Sequence, residues 1–187
     1  IQPVTVGVGG DRAPASDDGY PVELSSPVIA PIGAGSGAGT TIDDDAWPWF
    51  VDPAGNDAND CLTTATPCLT ITEAASRAAA GDRINVARGV YGEHLTFGFD
   101  LAIVGELPMG TVIDGGGTGT VVSVGPTATV TIQGFEIRGG ADGGIANDGN
   151  FTLEDSWVHS NGDGSPSSFG GLDNQGVALL DRVAVTN

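Results

Sequence analysis

From Asp82 to the end of the chain, apolar and polar residues alternate in short pieces cut apart by glycine: RINVA, LTF, LAIV, TVID, TVVSV, ATVTIQ and FEIRGG. Alternation of this kind predicts strands with one buried face. Evenly spaced two-residue turns would indicate hairpins, but here a longer period runs through the pieces. VTIQGFEIRGG (130–140) superimposes without a gap on FTLEDSWVHSN (151–161), so that Val130 meets Phe151, Ile132 meets Leu153 and Ile137 meets Val158, each 21 residues on. GGIANDG (143–149) returns as GGLDNQG (170–176), 27 residues on, because NGDGSPSSFGG holds an inserted loop. A repeat of this length, with apolar positions in register and insertions at one corner, is what a β-helix requires. Each turn lays short strands on those of the turn before, at a spacing of ~4.8 Å, and stacks like on like inside. Asn147 and Asn174 fall at equivalent turn positions, where a side-chain amide can bond to the backbone of the neighbouring coil. After Leu179 two registers compete. Matching Asn161 to Asn187 turns Arg182 inward, whereas the alternation of Val183 and Val185 turns it outward; the cost of burying an unpaired guanidinium favours the outward register.

Upstream the period becomes helical. Ile71, Ala74, Ala75 and Ala78 make one narrow apolar stripe at i, i+3, i+4 and i+7. Thr70 and Glu73 form a capping box, T-x-x-E, in which the hydroxyl accepts from a first-turn N–H while the carboxylate reaches back. Gly81 is placed to end the helix as its C′ residue, which predicts a helix over about 70–80. Side chains this small require a flat surface close by. The chain leaves the helix through GDRINVARGVYGEHLTF (81–97), with turns at Gly89 and Gly92, and begins the strand pattern there.

Residues 1–47 have no helical period and are rich in Gly, Pro, Ser and Asp. PVTVGVGG and YPVELSSPVIAPIGAG are strand-like, yet each is too short to bury itself. Such segments stay disordered or lie along the edge of another sheet, so this region reads as an extended arm preceding a folded region, 48–187. TTIDDDAWPWFVDPAGNDANDC bridges the two, and Trp47, Trp49 and Phe50 are suited to pin it by packing.

Composition narrows the partners. Of 187 residues 31 are glycine, and six arginines, with no lysine, face 24 acids for a formal charge of −18. That surface repels phosphate backbones and anionic lipid heads, which excludes nucleic acid and membrane surfaces as partners; cations are the natural counter-partners, and an ion-rich habitat explains the acid excess equally well. No run approaches the ~20 apolar residues that cross a bilayer, so no membrane insertion is expected. The chain opens at Ile1 rather than Met, which reads as a mature, processed form. Cys61 and Cys68 lie in CLTTATPC, where a turn at Pro67 can close a disulfide; a zinc site would need further ligands, and His94 and His159 are remote in sequence.

The stretch from Cys61 through CLTITEAASRAAAGDRINVARGVYGE, continuing to VTIQGFEIRGG and GGIANDG, resembles the amino-terminal part of right-handed parallel β-helix proteins of the pectate-lyase-like superfamily, and most of all their secreted bacterial and archaeal surface proteins. The likeness covers about residues 50–187. It implies an all-β fold, a right-handed parallel β-helix with an amino-terminal capping α-helix that lids the first coil, preceded by the extended arm. It specifies function poorly, since the fold hosts lyases, hydrolases, adhesins and passive shafts.

Enzymes of that superfamily which cleave acidic polysaccharides use calcium held by carboxylates beside an Arg or Lys base. The candidates here are Glu136 with Arg138, and Glu154, Asp155, Asp181 and Arg182. Glu136 and Arg138 alternate with Phe135 and Ile137 and so project outward, with Trp157 and His159 as stacking partners one coil on; an acid beside an arginine on a wet face reads first as a surface pair. Asp155 and Asp181 alone do not make the carboxylate group of an inverting hydrolase. No cofactor is required. Calcium remains an option at Asp52, Asp57 and Asp60, in a polar loop without EF-hand spacing. Trp157 with His159 offers a sugar-stacking platform, and Asn150 heads a glycosylation tripeptide, NFT.

The strand-like sequence runs on to Asn187 without a capping signal, while the arm has no core of its own. Two incomplete elements predict that they complete each other between chains. The expectation is a secreted, non-catalytic extracellular or cell-surface element, structural or adhesive, whose copies join head to tail into a filament through the arm. A fragment of a longer shaft is the simpler rival. The alternative in another class is a calcium-dependent polysaccharide lyase or carbohydrate-binding module, with a cell-surface or matrix polysaccharide as partner.

Overall fold

The computed structural model describes residues 48–106 and 110–186 in full, and Gly19–Glu23 and Ser36–Thr40 by their backbone. The chain divides into two units, 1–45 and 46–187. In the first, β1 (Gly19–Glu23) and β2 (Ser36–Thr40) pair antiparallel with each other, Gly19 opposite Thr40 and Glu23 opposite Ser36. Two short extended pieces thus satisfy one another's backbone groups. PVTVGVGG, the acidic run 43–45 and Trp47 lie outside the described residues.

The second unit winds in coils. It opens with β3 (Pro48–Val51) and the helix α1 (Ile71–Arg77). The first full coil is β4 (Arg83–Val86), β5 (Gly89–Tyr91) and β6 (Leu95–Phe97). The second is β7 (Leu101–Gly105), β8 (Thr111–Asp114) and β9 (Thr120–Val124). The third is β10 (Thr129–Gln133), β11 (Glu136–Arg138) and β12 (Gly143–Asn147). Then come β13 (Asn150–Glu154), β14 (Trp157–Val158) and β15 (Leu172–Asn174), and finally β16 (Val177–Asp181) and β17 (Ala184–Val185). From β4 on, every third strand joins the same sheet, and β3 adjoins β4 in the first sheet. The result is three parallel sheets, ordered β16-β13-β10-β7-β4-β3, β17-β14-β11-β8-β5 and β15-β12-β9-β6. This is a parallel β-solenoid.

The expected register holds residue for residue: Val130 pairs with Phe151, Ile132 with Leu153, Ile137 with Val158 and Asn147 with Asn174. Because strands stack parallel, each inward position forms a column. Ile84, Ile103, Ile132 and Leu153 make one, all fully buried, and Tyr91, Ile113, Ile137 and Val158 make another. The interval between stacked residues varies, 19 from Ile84 to Ile103 but 29 from Leu101 to Val130, since corners of different length are looped out without disturbing the columns. In the last coil the pairing Trp157 with Ala184 sets an offset of 27, so Arg182 stacks over Asp155 and faces solvent, as the outward register required. Gly134, Asp155 and Arg182, one above another, all take positive φ (80°, 47° and 53°) at the corner between the first two sheets. Gly89, read from sequence as a turn, instead opens β5.

At the amino-terminal end α1 lids the interior. Ile71 and Ala74 are buried, and Ala75 and Ala78 pack on the core, as the stripe predicted. Two details differ. The helix stops at Arg77: Ala78 is already extended (φ −70°, ψ 146°), and Gly81, at φ 95°, turns the chain into β4 rather than capping the helix. The capping box is only half formed. Thr70 Oγ1 accepts from Glu73 N at 3.1 Å, but the Glu73 carboxylate pairs with Arg77 one turn on. Its expected work is done by acids from elsewhere. Asp57 accepts from Leu69 N and Thr70 N, and Glu93, between β5 and β6, accepts from Ile71 N and Thr72 N at 2.9 and 2.8 Å. Carboxylates suit those free N–H groups and the positive end of the helix dipole.

Candidate functional site

The residues with chemical potential fall into four groups, each built by a different part of the solenoid. The first lies on the outer face of the sheet containing β8, β11 and β14. Alternation turns Asp114, Glu136, Arg138 and Trp157 outward, and parallel stacking brings Glu136 beside Trp157 and Arg138 beside Asp114. Arg138 Nε donates to Asp114 Oδ2 at 3.0 Å and its Nη1 to Glu136 Oε1 at 2.9 Å. The same Oε1 lies 3.0 Å from His159 Nε2. The His159 ring stacks on Trp157, centroids 3.7 Å apart and planes 27° off parallel, and the indole N–H donates to Thr186 Oγ1. Trp157 and His159 are therefore brought together as expected, but each presents a face to the other. The hydrogen bond from Gly116 N, aided by Arg138, holds the Asp114 carboxyl below its ordinary range.

The second group sits at the left-handed corner. Arg182 donates to both Asp155 carboxylate oxygens and to Asp181, and Gln133 Nε2 reaches Asp155 Oδ2 at 3.0 Å. One carboxylate so ties three successive coils. The bonds from Arg182 first, and from Gln133 second, pull the Asp155 carboxyl down to about 2. Folded Asp155 thus ionises below an unfolded aspartate, so its stabilising contribution is complete above about pH 4 and is lost as pH falls towards 2. Asp155→Asn keeps a residue type that tolerates positive φ. Urea titrations across that range should show wild type and variant converging at the acid end and wild type ahead above pH 4; parallel curves would mean that the pair contributes nothing.

The third group is the acidic loop. Asp52 Oδ1 accepts from Ala54 N, Asp60 Oδ1 from Thr66 Oγ1 and Leu62 N, and Asp57 is committed to the helix start. Asp52 and Asp60 serve their own turns, while Asp57 serves the helix. Among the described residues no group of three or more His, Cys, Asp or Glu is arranged to hold a metal ion. Arg77 crosses from α1 to the carbonyls of Asn59 and Asp57, and Cys61 and Cys68 form a disulfide with Cα atoms 4.9 Å apart. The polar loop is thus fastened at several points.

The fourth is the asparagine corner after β12. Asn147, 1% exposed, donates to Asn174 Oδ1 at 2.6 Å and to Val177 O at 3.1 Å, and accepts from Gly149 N. The expected bond to the next coil is present. Asn161 does the same at the neighbouring corner, accepting from Gly140 N and donating to Ile137 O.

Sequence reasoning missed three features. Asp82, 2% exposed, accepts from Trp49 Nε1 and Ala79 N, both at 2.8 Å, and so ties β3 to the helix exit. Glu93 caps α1 from more than twenty residues away. A cleft of about 470 Å³ lies against the outer face of β3, β4 and β7 beside the disulfide loop. The only local trace of these was the Trp49 aromatic and the acid after Gly81. No family model matches the chain, and no curated protein matches it either.

Proposed function

We propose that this chain is an extracellular, non-catalytic β-solenoid, a structural or adhesive surface element of the pectate-lyase-like kind it resembles, and that it assembles lengthwise. The observation that supports this most is the use made of its outward charges. Arg138 is shared between Asp114 and Glu136, and Arg182 between Asp155 and Asp181. Groups that a polysaccharide-cleaving enzyme would aim at substrate are spent on tying one coil to the next. The disulfide is in keeping with an oxidising, extracellular setting.

Lengthwise contact draws on the last described coil. Val177 and Leu179 project outward from β16 and are mostly exposed, and Leu180 stands next in the column of buried Leu153. The covering layer is a further set of parallel strands, from the same polypeptide or from a second copy whose arm supplies them. A charge of −18 on each chain opposes that approach, so contact is favoured by salt, which shortens the screening length from ~8 Å at 0.15 M to ~3 Å at 1 M. Sedimentation velocity at rising protein and salt concentration, with electron microscopy of the same samples, tests it. Elongated species that Leu180→Glu abolishes are expected. A chain that stays monomeric throughout refutes lengthwise assembly, and calcium-dependent cleavage of an acidic polysaccharide would replace the reading with a lyase.

A further inference from the structure

We infer that the cleft beside the disulfide loop is a binding site for a neutral saccharide. It is independent of lengthwise assembly, because it lies at the opposite end of the solenoid from β16. Parallel stacking builds its floor: Phe50, Asn85 and Val104 come from β3, β4 and β7, paired Phe50 to Asn85 and Asn85 to Val104, and all three are partly exposed. Pro67 and Thr64 of the disulfide loop wall one side. That wall is held rigidly, since Cys68 N donates to Phe50 O, Asp52 N to Cys68 O, and the Cys61–Cys68 bridge closes the loop behind it. A wall fixed in the free protein lowers the ordering cost of binding.

Size and chemistry define the ligand class. About 470 Å³ is within the range that takes a small organic molecule and too little for a folded partner. The floor is apolar at Phe50 and Val104, matching the C–H face of a sugar ring, for which an aromatic side chain is the usual platform. Polar groups of both kinds ring it. Arg83 supplies donors, with its Nε already bonded to Asn85 Oδ1 at 2.9 Å so that both side chains are oriented. Asp52 and Glu106 supply acceptors, each fixed by a backbone N–H, from Ala54 and Arg88 respectively. Hydroxyl groups, each donor and acceptor at once, satisfy such a mixed rim. An anionic sugar does not: two carboxylates against one guanidinium leave the cleft negative, within a chain of charge −18.

The test is a titration of the isotopically labelled full chain with cellobiose, maltose and lactose, and with digalacturonate as the anionic comparator, followed by amide shifts. At least one neutral disaccharide is expected to move amides of residues 50–52, 83–87 and 104–106, with a Kd of ~1 mM, as befits a shallow site burying few ligand atoms. Phe50→Ala should weaken binding by ~10-fold through loss of the ring contact. Arg83→Ala, at an exposed position, should weaken it too, and it decides the matter if the Phe50 variant does not fold. Shifts absent with all three neutral sugars, shifts that survive both substitutions, or preference for digalacturonate would each overturn the assignment. Sedimentation of the same variants should be unchanged, which separates this site from the contact at β16.

Discussion

Phe135→Ala is expected to lower the unfolding free energy by about 3–5 kcal/mol, the range for removing a fully enclosed aromatic ring. Phe135 is 0% exposed and follows the left-handed corner at Gly134. Its backbone is fixed from the next coil: Ser156 Oγ accepts from its N–H at 3.1 Å, and its carbonyl accepts from Trp157 N at 2.8 Å. The substitution leaves those bonds in place and removes only the ring. A stacked coil cannot close on the resulting space without breaking register with both neighbours, so the cavity persists and the loss approaches the upper part of that range. Urea unfolding followed by far-ultraviolet circular dichroism measures it, with an unchanged slope showing that the denatured state is not what moved. A loss below ~1 kcal/mol would mean that the interior collapses freely, contrary to the rigidity of the columns.

Gly149→Ala is expected to cost about 3 kcal/mol although it adds a single carbon, because that carbon meets backbone that cannot step aside. A Cβ there would lie 2.3 Å from Gly125 O and 2.5 Å from Ala128 O, both in the preceding coil. The comparison is Gly164→Ala, in the inserted loop, where φ is 78° but nothing lies within 4 Å. Its cost is conformational only, ~1 kcal/mol. Thermal unfolding of the two variants should separate them by several degrees. Equal shifts would show that the coils breathe enough at the asparagine corner to admit a methyl group.

Much of the fold is legible because a solenoid repeats its own environment. Val130 and Phe151, or Ile137 and Val158, are equivalent by spacing and become neighbours in space for the same reason, so one comparison along the chain yields both register and core. Asn147 and Asn174 were legible on the same ground. The helix and its Thr70 cap were readable from the stripe and the T-x-x-E spacing, but its carboxy-terminal end and the second half of the cap were not. Glu73 looks like the reciprocal cap in sequence, but Asp57 accepts from Thr70 N and Glu93 from Ile71 N and Thr72 N, which leaves Glu73 to pair with Arg77. The three acids of the loop, Asp52, Asp57 and Asp60, looked alike in sequence. Only the position of α1 separates Asp57, bound to the helix start, from the other two.

The chain by itself determined that strands stack in parallel, which residues of 130–140 and 151–161 lie over one another, and that Arg182 faces outward, because these follow from spacing between equivalent positions and from the cost of burying charge. The tertiary structure alone decided which carboxylate caps α1, how Arg138 and Arg182 are shared, and that Phe50, Asn85 and Val104 meet under Pro67. Those partners sit on different coils or on loops of unequal length. Their meeting depends on how far each corner reaches out, and no local pattern of apolar and polar residues records that distance.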